Sequence, residues 1–213
     1  MRAADSGSVG LRRSWSRPSD DCKRSFFLLG FVLCFVCLIA PALNAQQSSA
    51  SEYEVMAAYL FNFGRFVEWS DKGTVTKDGA FEICVLGQDP FGTTLDTILA
   101  GTSLKGKSVA AKRISKAQEV NNCRILFISS SEDGRLKEIL DALDKTNVLT
   151  VSDIPRFSQR GGMIEFVLEG TKVRFEINLA SAEEAGLSLS SELLKVATNV
   201  RRNPHPSSPH SGD

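Results

Sequence analysis

The sequence predicts an α/β fold with a mainly parallel sheet, helices on both faces and a C-terminal antiparallel hairpin. Three observations carry that expectation. Short runs rich in apolar and β-branched residues, Phe81 to Leu86 (FEICVL), Arg124 to Ser129 (RILFIS) and Val148 to Val151 (VLTV), alternate with helically spaced segments, the pattern of strands joined by crossover helices. Turn chemistry punctuates the alternation, as in Gly87-Gln-Asp-Pro90. From Met163 the period changes: Met163 to Leu168 and Lys172 to Leu179 flank Glu169-Gly170-Thr171-Lys172, where a glycine in the first central position suits a two-residue type II′ turn.

In chain order, Glu52 to about Trp69 has Val55, Tyr59, Phe63, Phe66 and Val67 at helical spacing and predicts a helix of four or five turns. Phe81 to Leu86 is the first strand. Asp89 then reads as an N-cap with Pro90 in the first helical position, and the helix runs through Leu95, Ile98 and Leu99 to a stop at Gly101. Val109 to Ile114 is a weaker strand and Arg124 to Ser129 a strong one, with Cys123 at its mouth. Ser131 caps a helix that aligns Leu136, Ile139, Leu140 and Leu143. After Val148 to Val151 and the hairpin, Ser181 to about Val200 closes the fold as a helix, with Ser190 capping its second half. No internal repeat is present.

Ahead of these elements, Phe26 to Ala40 is apolar, Lys23-Arg24 precedes it and Ala45 ends a small-residue stretch, the layout of a secretory signal cleaved after Ala45. An uncleaved anchor over Phe26 to Leu43 is the alternative. The expected organisation is thus a signal peptide over 1–45, a polar spacer over 46–51, an α/β domain over 52–200 and a disordered tail over 201–213. Of the 25 Lys+Arg and 25 Asp+Glu, the leader takes six bases and three acids, leaving 19 against 22, a net of −3. Nothing there favours nucleic acid.

Five cysteines are present, but Cys22, Cys34 and Cys37 lie in the leader. The exported part keeps Cys84 and Cys123, an even pair suited to a disulfide in an oxidising compartment, with two buried thiols as the alternative. Both histidines, His205 and His210, fall in the tail. The domain therefore lacks the side chain that Ser-His and Cys-His nucleophilic sites and most zinc or iron sites require, so no catalytic residue, metal or cofactor is expected. Gly87-x-x-x-x-Gly92 is followed by Thr93-Thr94 instead of Lys-Ser/Thr. It suits a helix start, whose amides leave Asp89 and Gly92 as candidates for holding a small anion.

Two regions stand out as binding surfaces. Of twelve aromatics after Ala45, six fall between Tyr53 and Trp69, more than one stripe can bury, so Phe61 and Trp69 are candidates to face a partner. The loop Ser152 to Gly162 carries Asp153, Phe157 and Arg160 beside a glycine pair, where α/β folds bind ligands.

Together AAYLFNFGRFVEW (Ala57 to Trp69), FEICVLGQDPFG (Phe81 to Gly92), CRILFIS (Cys123 to Ser129) and the block Val148 to Ala197 resemble the YfiR family of periplasmic proteins. The similarity covers about Glu52 to Thr198. It implies an exported, usually dimeric α/β domain without enzymatic activity that binds the periplasmic domain of a membrane diguanylate cyclase or a related sensor and restrains cyclic di-GMP synthesis and biofilm output. It also implies that Cys84 and Cys123 stand where the family places a disulfide; a second cysteine pair is absent. A periplasmic small-molecule binding protein is the alternative function.

Overall fold

The structure, a computed structural model, describes residues 51–70, 79–144 and 146–202. The signal-peptide, spacer and tail assignments, and both histidines, lie outside or at the margins of that range. The first helix, α1, covers residues 51–66. Its Met56, Leu60 and Phe63 are buried one or two turns apart, as a helical period requires. The expected continuation to Trp69 does not occur: Val67–Trp69 forms β1 and pairs antiparallel with β9 (Leu187–Leu189).

The main sheet has eight strands in the order β10-β8-β7-β6-β5-β2-β4-β3. They are β2 (Phe81–Leu86), β3 (Ser103–Leu104), β4 (Lys107–Ile114), β5 (Cys123–Ile128), β6 (Leu149–Ser152), β7 (Ile164–Glu169), β8 (Lys172–Asn178) and β10 (Asn199–Arg201). Four further helices intervene: α2 (Thr93–Leu99), α3 (Leu136–Ala142), α4 (Leu179–Glu184) and α5 (Ser191–Val196).

The expected mainly parallel sheet with a hairpin at its C-terminal end is corrected here to a mixed sheet. Antiparallel pairing occurs between β3 and β4, between β7 and β8, and in the separate β1–β9 ribbon. The β7–β8 hairpin is interior, because β10 returns outside it, parallel to β8. The reason lies in the last forty residues. Gly186, at φ 76, ends the helical stretch, and Leu187 and Leu189 bury while Ser188 is exposed, a period of two. The single helix expected over 181–200 is therefore α4, β9, α5 and β10. Ser190 still caps, its hydroxyl accepting from Leu193 N. The β3–β4 hairpin was not anticipated; Lys105 and Gly106 turn it with φ 52 and φ 80, both positive as a type I′ turn demands.

Alternation along the strands separates two cores. In β2, Phe81, Ile83 and Val85 join α1 and α2 in the larger one, whereas Cys84 and Leu86 join α3 in the smaller. Tyr59, Phe63, Phe166 and Phe175 pack as an aromatic group in the larger core, with ring centroids 5.2 to 6.0 Å apart. Cys84 and Cys123 form a disulfide in the smaller core, tying β2 to β5 with Cα atoms 5.8 Å apart.

Candidate functional site

From β2 the chain goes to β4 on one side and then returns to β5 on the other. The loops that leave β2 and β5 therefore diverge at their carboxyl ends, and a crevice opens between them, the topological switch point of an open α/β sheet. It has a volume of about 370 Å³ and is lined by Tyr53, Gln88, Asp89, Pro90, Ser129, Ser130 and Ser131. Gly87 makes this approach possible: a Cβ there would lie 2.6 Å from Ser131 Oγ and 2.7 Å from Glu132, and its φ is 91. Gln88 N donates to Ser131 Oγ at 3.0 Å, joining the two loops.

Asp89 is held from behind. Its Oδ1 accepts from Phe91 N at 2.8 Å and its Oδ2 from Arg113 Nε at 2.8 Å. Arg113, on β4, also donates to Asp96 Oδ1 and to the Gly92 carbonyl. The hydrogen bond from Arg113 holds the Asp96 carboxyl below its usual range, and the same contacts keep the guanidinium charged. The loop Asp89–Gly92 is consequently an arginine-clamped turn, with α2 starting only at Thr93. This corrects the N-cap at Asp89. It also weakens Asp89 and Gly92 as an anion site, because the Gly92 carbonyl and a carboxylate face the arginine and the crevice lining contains no Lys or Arg.

Tyr53, from the first turn of α1, meets Phe91 edge-on at 5.7 Å and donates its hydroxyl to Asp153 Oδ2 at 2.7 Å. Burial, then the Asp153 hydrogen bond, push the phenol well above its ordinary pKa, so it stays a neutral donor. Asp153 Oδ1 is buried and accepts no hydrogen bond. Leaving such an acceptor unsatisfied costs about 1–3 kcal/mol.

The loop beyond Asp153 is not the open surface its composition suggests. Phe157 is fully buried in the smaller core, and Ser158 is 1% exposed. A Cβ on Gly162 would collide with the Phe157 ring. Phe157 is therefore unavailable as a surface anchor, a correction to its expected role. Glu165, in β7, caps the loop: it accepts from Arg156 N at 2.7 Å, Ser158 N at 2.9 Å and Ser158 Oγ at 2.8 Å. Sequence reasoning missed Glu165, although a lone acid within the apolar run Met163–Leu168 was its signal. Arg160 is pinned to Asp133 across the loop, 2.5 Å from its Oδ1.

On α1, Phe61 is half-buried against the larger core. Trp69 stands edge-on to Phe81, with Lys105 Nζ 5.2 Å and the Arg124 guanidinium 5.8 Å from its ring. It borders a second cleft, of about 440 Å³, floored by Leu179, Leu187, Leu189 and Leu194. The helix instead presents Val55, 43% exposed, and Phe66, 38% exposed. The sequence places both on one apolar stripe with Tyr59 and Phe63, yet the structure leaves them exposed; the signal for this was a helix too apolar for one buried face.

Glu82 lies beside Cys84 and Cys123, but the two sulfurs are bonded to each other and offer no thiolate. Among the described residues no helix is long and apolar enough to cross a membrane. A family model described as YfiR/HmsC-like matches residues 53–198, from the tyrosine that walls the crevice to the turn before β10. With the match spanning more than half the chain, the protein belongs to the YfiR/HmsC-like family.

Proposed function

We propose that this protein is an exported, non-catalytic regulator that acts in the periplasm on diguanylate cyclase signalling, by binding the outer domain of a membrane cyclase or related sensor. Membership of the YfiR/HmsC-like family supports the regulatory class. The observation that carries the binding mode is the outer side of α1, where Val55 and Phe66 stand exposed on a helix whose Met56, Leu60 and Phe63 are already buried. An exposed aromatic on a rigid helix contributes little while solvated and much once a partner buries it. The acids offer little for catalysis: Asp89, Asp96, Glu132, Asp133 and Asp141 are each paired with an arginine or lysine.

Affinity capture from detergent-solubilised membranes tests this reading. Phe66→Ala should weaken capture of a cyclase or sensor at least tenfold, about 1.4 kcal/mol, with an unchanged thermal midpoint. Equal capture by both forms would move the interface elsewhere, and capture of no membrane protein by the wild type would remove the regulatory reading.

A further inference from the structure

We propose that the cleft beside Trp69 is a ligand site for a small amphipathic amine, an alkyl chain ending in an ammonium group, independent of the outer side of α1. The cleft is built by segments that the β1–β9 ribbon brings together. Ser70 N donates to the Gly186 carbonyl at 3.2 Å, and a Cβ on Gly186 would lie 2.7 Å from Ser70 Oγ, so a glycine is what lets the turn between α4 and β9 come this close to β1. Asn147 Nδ2 donates to the Ala185 and Gly186 carbonyls and fixes the turn further. The walls therefore stand formed without a ligand, and their volume of about 440 Å³ falls in the lower part of the range of ligand pockets.

The lining divides into an apolar floor and an acidic rim. Four leucines make the floor and Trp69 a wall. Leu194 and Trp69 are only half-buried, which leaves apolar surface for a hydrocarbon chain to cover. Glu68, from β1, and Glu183, one turn after Leu179 on α4, line the same cleft and are exposed. Among the described residues neither carboxylate forms an ion pair or a side-chain hydrogen bond, whereas both oxygens of Asp89 at the switch point are engaged. No Lys or Arg lines the cleft. Lys105 and Arg124 reach the Trp69 ring from outside the lining, and Lys105 Nζ donates to the Val67 carbonyl at 2.8 Å. An anionic ligand would meet two like charges and a neutral one would leave them unanswered. An ammonium brings opposite charge and three donors to them, while its chain covers the leucines.

The test is an NMR titration of the ¹⁵N-labelled chain with hexylamine, hexanol and hexanoate, which share one apolar chain and differ in the head group. Hexylamine should shift the Trp69 indole N–H and the amides of Ser70, Gly186 and Ser188 saturably, with a Kd in roughly the millimolar range expected of so small a ligand. Hexanol and hexanoate should bind at least tenfold more weakly. The double variant Glu68→Gln with Glu183→Gln, at two exposed positions, should cost the amine at least tenfold and leave the alcohol unchanged. Ser188→Lys sets a cation opposite Glu68 in the β1–β9 pair and should weaken hexylamine while strengthening hexanoate. Equal binding of amine and alcohol overturns the proposal, as do shifts confined to residues outside the cleft and undiminished amine binding by the double variant. Should the double variant fail to fold, undiminished amine binding by Ser188→Lys overturns it as well.

Discussion

Phe157→Ala is expected to destabilise the protein by about 3–5 kcal/mol, the range for removing a large aromatic from a packed core. The side chain is fully buried beside Leu136, Ile139 and Ile154, and Gly162 lies against its ring so closely that even a methyl group there would collide. The loop around it is fixed by Glu165 and by the left-handed Arg156, at φ 61, so the cavity has little freedom to collapse. Urea unfolding should show the midpoint falling with the slope unchanged. Arg160→Ala, which removes a partly exposed ion pair with Asp133, should cost no more than about 1 kcal/mol and barely move the same midpoint. Similar midpoints for the two variants would show that Phe157 contributes no core packing.

Cys84→Ser should cost about 4 kcal/mol. The bridge closes a loop with a sequence separation of 39, and in the chain-entropy model that loop restricts the unfolded chain by roughly this amount. The serine hydroxyl would also enter a cluster containing Leu86, Leu126 and Ile128, where a polar group needs a partner. Comparing oxidised wild type, reduced wild type and Cys84→Ser separates the two contributions: reduction removes the cross-link alone. A wild type whose unfolding midpoint is indifferent to reduction would rule out the stabilising role of the bridge.

The parts of the fold that were legible in the sequence are those set by neighbours in the chain. The runs FEICVL and RILFIS are strands in place, because an apolar run bounded by turn residues has few other solutions. Ser190 caps the helix that follows it, a contact three residues long. The misses have distant partners. Val67–Trp69 satisfies a helical pattern as well as a strand, and only Leu187–Leu189, far along the chain, decides between them. The loop 153–162 looks solvated from its Pro, Ser, Gln, Arg and Gly content, yet Glu165 satisfies its amides from another strand and frees Phe157 to turn inward. The crevice shows the same division. Gly87-Gln-Asp-Pro was visible as a turn, whereas the meeting of Tyr53 with Asp153 depends on topology.

The β1–β9 ribbon has a consequence for how such a chain is delivered. Val67 pairs with Leu189, so the end of the first helix is completed only by a segment near the last. A chain that emerges N-terminus first, from a ribosome or through a membrane pore, presents α1 with Phe63 and Leu60 uncovered until almost all of it has followed. Loop closure over that span is slow compared with local helix formation. The interval leaves the apolar face of α1 open to any factor that holds unfinished chains.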